Sequence, residues 1–331
     1  MLTIPYTSLN FGPSMGSLFQ GVNNLSCTWG EITWAAITVG RKNWSHVIRF
    51  GEYSRFEILY RLSIIYANLR QVNNNLIRSQ AYINLDPSEK SAISYFLGLT
   101  SAKLFAAKLL NVFWLMHVET YQNDYQMRFW NGKSKPDLFG PDRRGEWVVI
   151  EAKGRSNKFD SKSLQRAKEQ ARMLRTISGQ FPILRIAMES HFNNSTFQVT
   201  WKDPAEFDEN GVDLDIQPFD FMYKYYQPLI MLLDYYANYV KTIRIYEREL
   251  DVLDIYEADL RVGLDKELIR LFKKPRSRNQ VEHMMQVIFN LPEHMSDGQL
   301  MIGGDGVMVS LGRSWDEEKM KLEPEKRAHE E

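Results

Sequence analysis

The segment 147–153, which reads Trp-Val-Val-Ile-Glu-Ala-Lys, restricts the fold of this chain more than any other part of the sequence. Its first four residues are apolar at every position, so both faces of a strand formed here are apolar, and this predicts a buried strand. Side chains alternate along a strand, so Glu151 and Lys153 share one face. Burying two charges at the end of a strand costs free energy unless the charges are paired or serve a function.

A second carboxylate is predicted to lie beside this strand end. The sequence predicts three successive strands, over residues 125–130, 133–139 and 146–153, with Asn-Gly at 131–132 as a two-residue hairpin turn. Asp137 lies in the middle strand. The three strands form a meander, so the Asp137 carboxylate is expected next to that of Glu151.

Helices are predicted on either side of these strands. Asp86 is a helix N-cap, Pro87 occupies the first helical position and Glu89 completes a capping box. This helix is predicted to extend to about residue 115. Further elements are predicted at 163–177 (helix), 182–188 (strand) and 196–201 (strand). A helix between two strands indicates a crossover, so the sheet is expected to be mixed within an α/β fold.

The 331 residues suggest one elaborated domain or two smaller ones. Residues 1–85 form an N-terminal region of unclear fold, and residues 86–202 carry the predicted sheet. Residues 203–331 are expected to be a mainly helical C-terminal region.

Charge and cysteine content limit the environment and the partners. The chain has 41 basic and 41 acidic residues, so any polyanion has to bind a local basic patch. Cys27 is the only cysteine, which excludes an intrachain disulfide and fits a reducing compartment. No apolar run reaches the ~18 residues that span a bilayer, and the N-terminus does not resemble a signal peptide. We expect a cytoplasmic protein that does not bind a membrane.

The paired carboxylates predict a metal site. Two close carboxylates repel each other, and a divalent cation relieves the repulsion. Hard oxygen ligands favour Mg²⁺, or Mn²⁺ in its place. A metal held by Asp137 and Glu151 could polarise a phosphoryl oxygen and activate a water molecule. Lys153 could orient the attacking hydroxide or stabilise charge in the transition state.

The context of the motif, and not the tripeptide alone, supports this prediction. Two other tripeptides have an acidic residue two positions before a lysine, Asp160-Ser-Lys162 and Glu317-Glu-Lys319, but neither follows an apolar strand. The alternative interpretation of the motif is a structural cluster of ion pairs at a strand end, since such clusters also shift the pKa values of their members.

The residues Pro136-Asp137 and Glu151-Ala152-Lys153 resemble the motif of the PD-(D/E)xK nuclease superfamily, whose fold is called restriction-endonuclease-like. The resemblance implies a mixed sheet flanked by helices and metal-dependent hydrolysis of phosphodiester bonds. It also implies that Asp137, Glu151 and the Ala152 carbonyl are metal ligands and that Lys153 is the catalytic lysine.

The resemblance covers residues 86–202, about a third of the chain, and departs from the family in one respect. Many members carry a metal-binding glutamate on the helix before the meander. Here that helix offers only Glu89, which is expected to cap it, and Glu119 lies at or beyond its end. Gln170 resembles the glutamine of the exonuclease-type subgroup, although Leu174 replaces that subgroup's aromatic residue. Gln170 is therefore a further predicted catalytic residue.

Basic residues after the motif are predicted to contact nucleic acid, namely Arg155, Lys158, Lys168 and Arg172. A solvated helix face is the alternative. Lys168 borders the apolar stripe of its helix on the side opposite Gln170, so either could point at the site. The histidines, His117 among them, lack metal-ligand spacing and are expected to be structural.

Three functions follow from these observations. The leading hypothesis is a Mg²⁺-dependent nuclease acting on DNA rather than RNA, and family analogy suggests prokaryotic defence, restriction or repair. The second is a catalytically degenerate nuclease fold that serves as a nucleic-acid-binding or assembly module; the missing helix glutamate and zero net charge favour it. The third is a nuclease controlled by a homodimer contact, a regulatory protein or a small ligand acting on the flanking regions.

Overall fold

The computed structural model describes residues 1–39, 52–121, 135–203, 207–273 and 278–315. The predicted Asn131-Gly132 hairpin and the strand before it lie outside the described residues. The strands are β1 (Leu2–Leu9), β2 (Gly21–Cys27), β3 (Leu69–Val72), β4 (Asn75–Arg78), β5 (Met116–His117), β6 (Leu138–Pro141), β7 (Trp147–Gly154), β8 (Leu174–Ile177), β9 (Leu184–Asn193), β10 (Thr196–Lys202), β11 (Val212–Leu214), β12 (Lys241–Ile245), β13 (Arg248–Ile255), β14 (Leu260–Asp265), β15 (Met295–Asp297), β16 (Leu300–Ile302) and β17 (Val307–Leu311). The helices are α1 (Trp29–Thr38), α2 (Glu52–Asn68), α3 (Gln80–Asn84), α4 (Pro87–Leu110), α5 (Val118–Tyr121), α6 (Ser161–Arg172), α7 (Pro218–Tyr235), α8 (Lys266–Lys273) and α9 (Arg278–Phe289).

The main sheet is mixed, as the sequence predicts. Its strands lie in the order β2-β1-β4-β10-β9-β7-β6-β5, with β3 paired to β4. β7 runs antiparallel to β6 and parallel to β9, so α6 is the expected crossover. β9 returns into β10 through a turn at Asn194 and Ser195, both of which have positive φ. The protein is therefore an α/β protein in which the apolar strand β7 lies inside the sheet.

The N-terminal region contributes to the same sheet. β1 pairs in parallel with β10 and antiparallel with β2, and β4 pairs with both β1 and β10. The strands before residue 85 thus extend the sheet on the side away from β6.

Helix α4 begins where the sequence predicts it. The Asp86 carboxylate accepts hydrogen bonds from Ser88 N at 2.7 Å and Glu89 N at 3.3 Å, and Glu89 Oε2 accepts from Asp86 N at 3.4 Å. Glu89 therefore completes a capping box. The helix ends at Leu110, before left-handed Asn111 (φ 57°), and so is shorter than predicted.

α4 is also the one helix of the described chain that is long and apolar enough to cross a membrane. However, 72% of its most apolar window is buried inside the protein. It packs against β7, and a core helix passes the same test of length and composition.

Two glycines allow α4 and β7 to touch backbone to backbone. A Cβ on Gly154 would lie 1.6 Å from the Ser94 carbonyl oxygen, and one on Gly98 would lie 3.0 Å from Gly154 N. Gly154 has no room for a side chain, and at Gly98 a side chain would need the neighbouring backbone to shift. The end of β7, which carries Glu151 and Lys153, is therefore fixed directly on the helix.

The expectation of a mainly helical C-terminal region is wrong. After α7 the chain forms a six-stranded sheet in the order β12-β13-β14-β17-β16-β15, and α8 and α9 are short. Leu250 and Val252 on one face of β13 join a small cluster, while Leu253 and Ile255 on the other face join the main core. A strand that is apolar on both faces loses the alternation of apolar and polar residues, so its sequence can be taken for that of a buried helix.

The predicted helix 163–177 ends earlier than expected, after Arg172, because the chain enters β8, which pairs with β11.

A buried polar cluster joins this second sheet to α4 and α7. The Asp305 carboxylate, in the turn between β16 and β17, accepts from Trp34 Nε1 at 3.1 Å and Tyr225 OH at 2.6 Å, and it lies 4.0 Å from Lys103 Nζ. The Tyr226 hydroxyl donates to the Asp305 carbonyl at 2.7 Å. Lys103 and Asp305 are both fully buried, so each depends on these partners.

We predict that Gly154→Ala destabilises the protein by at least about 3 kcal/mol, because the added methyl group overlaps a backbone carbonyl that cannot rotate away. Chemical denaturation measures this loss. Gly12→Ala is the control, since its Cβ would meet only Ser14 Oγ, at 3.7 Å. Equal stability of the two variants would contradict the close contact.

We predict that Asp305→Ala costs about 3–5 kcal/mol of stability, because it leaves Lys103 buried without its carboxylate. The double variant Lys103→Met/Asp305→Leu should lose less than the single variant, since it removes both charges. Asp297→Ala, at an exposed position of β15, provides the control. A double variant less stable than Asp305→Ala would show that the pair is not coupled.

Candidate active site

The motif residues meet where the ladder between β6 and β7 ends. Its last pair is Leu138 with Ile150. Asp137 lies one residue before β6, although the predicted strand 133–139 includes it. Glu151, Ala152 and Lys153 lie in the second half of β7. Because the strands are antiparallel, the residues just beyond the ladder on each strand lie side by side.

Reciprocal hydrogen bonds hold the two carboxylates together. Asp137 N donates to Glu151 Oε2 at 2.8 Å, and Ala152 N donates to Asp137 Oδ2 at 3.1 Å. Lys153 Nζ donates to Glu151 Oε1. Each acid is thus bound by the other's strand, and the lysine closes the group. The structure brings together all the residues of the predicted motif.

Burial makes this arrangement electrostatically unfavourable. Desolvation raises the pKa of Glu151 to about 8, with the nearby Asp137 charge as the second cause and Lys153 opposing both. Burial also raises the pKa of Asp137, against the influence of His117 and Lys153. One lysine does not fully compensate the buried Glu151 and the half-buried Asp137, so the pair retains a proton more readily than isolated carboxylates do.

The oxygen atoms of this group fit a hard divalent cation. Two carboxylates and the Ala152 carbonyl form a donor set that suits Mg²⁺ or Mn²⁺, which usually keep several water ligands beside one or two carboxylates. Within the described ranges, no cluster of three or more His, Cys, Asp and Glu side chains could hold a metal ion. The site therefore offers two side-chain ligands, and water or substrate would complete the shell.

His117 is a neighbour that the sequence did not reveal. It lies on β5, opposite Leu138 in β6, and its Nε2 atom is 3.9 Å from Asp137 Oδ1. The Tyr95 hydroxyl, on α4, is hydrogen-bonded to the same ring nitrogen at 3.1 Å. This contact depends on the β5–β6 register, and no spacing in the sequence signals it.

Glu119 and Gln170 lie at the border of the site. Glu119 Oε1 forms an ion pair with Lys135 Nζ at 3.2 Å. Gln170 Nε2 makes a long contact of 3.5 Å with the Lys135 carbonyl, two residues before Asp137. Gln170 thus faces the segment that carries Asp137, and its described contact is with backbone rather than with the acids.

A cavity of about 320 Å³ adjoins this group. Aromatic residues of α2 and α4 and the polar residues of β5 and α5 form its walls, namely Tyr60, Tyr95, Phe96, His117 and Glu119. His117 belongs both to the cavity and to the surroundings of Asp137, so it connects the two, although none of the motif residues lines the cavity.

The four basic residues predicted to contact nucleic acid differ in exposure. Lys158 is exposed, and Arg172 is half-buried. Half-buried Arg155 forms an ion pair with Asp160 at 3.1 Å. The prediction for Lys168 is wrong: Lys168 is only 4% exposed, and its Nζ binds Asp203 Oδ1 at 3.0 Å in the core.

Comparison of the chain with protein-family models, curated proteins and solved structures gave no match. The resemblance to PD-(D/E)xK nucleases therefore stays a prediction from the motif residues. Any functional proposal has to stand on the geometry of the site itself.

We predict that Glu151→Gln stabilises the metal-free protein relative to wild type as the pH rises. The folded-state pKa of Glu151 is raised from 4.5 to about 8, so the stability that its protonated form contributes is lost as the pH rises through this interval. Glutamine does not titrate. In chelator, the stability difference should grow by at least about 1.4 kcal/mol, one pKa unit, between about pH 5 and about pH 8.

Urea denaturation at the two pH values measures this difference. Glu209→Gln, at an exposed position, should show no comparable growth. A constant difference between Glu151→Gln and wild type would mean that the Glu151 carboxyl is not held in an unfavourable environment.

Proposed function

We propose that this protein is a metal-dependent nuclease of restriction-endonuclease-like fold that hydrolyses phosphodiester bonds in nucleic acid, with DNA as the expected substrate. The observation that carries the proposal is the group formed by Asp137, Glu151 and Lys153, in which reciprocal hydrogen bonds join the half-buried Asp137 to the fully buried Glu151 and the lysine binds Glu151. A cytoplasmic role in defence, restriction or repair fits this activity.

The order of elements around the site supports the fold assignment. Helix α4 comes before the antiparallel strands β5, β6 and β7, and crossover α6 leads to β9 and β10. This order of helix, antiparallel strands, helix and further strands agrees with the predicted order, with β5 before the predicted strand 125–130, which lies outside the described residues. The metal-binding helix glutamate of many members has no counterpart here, because Glu89 caps the helix.

The proposed cation, Mg²⁺ or Mn²⁺, would be held by Asp137, Glu151 and the Ala152 carbonyl. When bound, such a cation polarises a phosphoryl oxygen and lowers the pKa of a coordinated water. It would also offset the burial that raises the pKa values of both acids and the Asp137 charge that further raises the pKa of Glu151. The hydrogen bonds from Asp137 N and Ala152 N orient the two carboxylates beforehand.

Lys153 is the residue of the group that can reach substrate. About a third of its side chain is exposed, whereas Glu151 is fully buried. Its ammonium group now neutralises Glu151. With a cation bound beside Glu151, the Lys153 ammonium would be available to a substrate phosphate and would stabilise the charge that develops in the transition state.

The other neighbours act by positioning. Tyr95 and His117 support Asp137 Oδ1 from the side of α4, and Gln170 contacts the backbone of the segment that leads to Asp137. The cavity beside them offers aromatic walls to a nucleotide next to the scissile bond, and Tyr60 is half-exposed there.

We predict that Asp137→Asn, Glu151→Gln and Lys153→Ala each lower metal-dependent cleavage of DNA by roughly 10²–10³-fold or more, because each removes a metal ligand or the transition-state cation. The assay incubates single- and double-stranded DNA and RNA with Mg²⁺, Mn²⁺ or chelator. Lys162→Ala is the matched control, since Lys162 is an exposed lysine of a similar tripeptide. Cleavage that survives in all three motif variants would overturn the proposal.

A degenerate nuclease fold that only binds nucleic acid is the second candidate. The observation that favours it is that no third acidic or histidine ligand joins the two carboxylates within the part of the chain that the structure describes. Calorimetric titration with Mn²⁺ separates the candidates. A metal site would give a binding heat that Glu151→Gln abolishes, whereas a binding module would show DNA binding without any metal binding.

A further inference from the structure

A second, larger cavity lies on the C-terminal sheet, away from the carboxylates. It has a volume of about 770 Å³ and shares no lining residue with the cavity beside His117. We call it the C-terminal pocket and define it by Lys241, Asp254, Tyr256, Arg261, Ser310 and Arg313. Its volume falls within the range of about 300–1,000 Å³ that is typical of small-molecule sites.

The floor of the C-terminal pocket is a row of paired residues on one sheet face. Asp254 pairs with Arg261, and Arg261 pairs with Ser310 across β13, β14 and β17. Residues directly opposite each other in adjacent strands point to the same face. Regular sheet, rather than a loop, therefore fixes these side chains.

Charge is arranged so that cations face the opening. Asp254 accepts from Lys241 at 3.1 Å and from Arg261 Nε at 2.8 Å, and this holds both cations in place. Lys241 and Arg261 are nevertheless 66% and 61% exposed. Within the described residues Arg261 uses only Nε, so its terminal nitrogens remain for a ligand. Exposed Arg313 adds a third cation.

An aromatic side chain completes the rim. Tyr256 lies in a 3-10 turn after β13 and is 76% exposed. A tyrosine ring beside arginines is the combination that binds a nucleotide, since the ring stacks on a base and the forked guanidinium binds a phosphate. The pocket contains two acids, Asp254 and Asp259, and three cations. The cations outnumber the acids, so the pocket does not repel a phosphate.

The wall that carries Tyr256 is anchored before any ligand arrives. Glu257 forms an ion pair with Arg55 of α2 at 3.2 Å. Trp315 donates to the Ala258 carbonyl and packs on Tyr66 of α2, with ring centroids 4.2 Å apart. A preformed wall lowers the entropy cost of binding.

We propose that the C-terminal pocket binds a nucleotidyl group, with Arg261, Arg313 and Lys241 on its phosphate and Tyr256 on its base. The group can belong to a free nucleotide or to a nucleotide within a single strand, since the recognised chemistry is the same. This site stands independently of the nuclease proposal, because it uses none of the motif residues.

The test measures binding in chelator, where metal-dependent cleavage does not occur. Two probes distinguish the sources: AMP followed by calorimetry, and a short fluorescein-labelled single-stranded oligonucleotide followed by anisotropy. We expect Tyr256→Ala, Arg261→Ala and Arg313→Ala each to weaken binding of the recognised probe by about tenfold. Binding of AMP would assign a free nucleotide, and binding of the oligonucleotide alone would assign a strand.

Matched controls come from the same sheet. Tyr246→Ala and Arg244→Ala change exposed residues of the same types outside the pocket and should bind like wild type. Arg313 has no hydrogen bond within the described chain, so its variant also keeps the proposal testable if Arg261→Ala unfolds. Equal affinity of wild type and the pocket variants, or no binding of either probe, would overturn the proposal.

Discussion

The backbone contact between α4 and β7 is the constraint on which the candidate site depends. Gly98 and Gly154 leave no side chain between helix and strand, so the end of β7 cannot shift relative to α4. By alternation, Glu151 and Lys153 point to the opposite face from Gly154, where α6 packs. The acid and the lysine are therefore presented from a strand that is covered on both sides, which gives a rigid position but removes most of the water that would solvate the charges.

That lack of water explains the electrostatics of the group. Glu151 is fully buried, and the strand holds its carboxylate beside that of Asp137 through backbone hydrogen bonds that do not neutralise either charge. Structural ion pairs usually match one cation to one anion, whereas here Lys153 serves two acids. Burial that raises the pKa of Glu151 to about 8 lowers the stability of the folded state as the pH rises, and perturbed groups of this kind cluster at functional sites.

Local signals in the sequence predicted much of this site, and non-local contacts account for what they missed. The capping box at Asp86 and the apolar run into Glu151 are encoded within a few residues, so α4 and β7 followed from the sequence. His117 reaches Asp137 only through the pairing of β5 with β6. Lys168 looked like a surface cation, yet Asp203, 35 positions further along the chain, draws it into the core. Strand β13 was missed because it carries apolar residues on both faces, which hides the alternation that marks a strand.

The two cavities lie on parts of one packed body. The cluster around Asp305 ties the C-terminal sheet to α4 by buried hydrogen bonds, so this sheet is continuous with the core that carries the carboxylates. Helix α2 touches both cavities: Tyr60 lines the one beside His117, and Tyr66 supports the wall of the C-terminal pocket through Trp315. Tyr60 and Tyr66 are six positions apart on this helix, which is less than two turns. Helix α2 therefore contributes to the cavity beside His117 and, through Trp315, to the fixed wall of the C-terminal pocket.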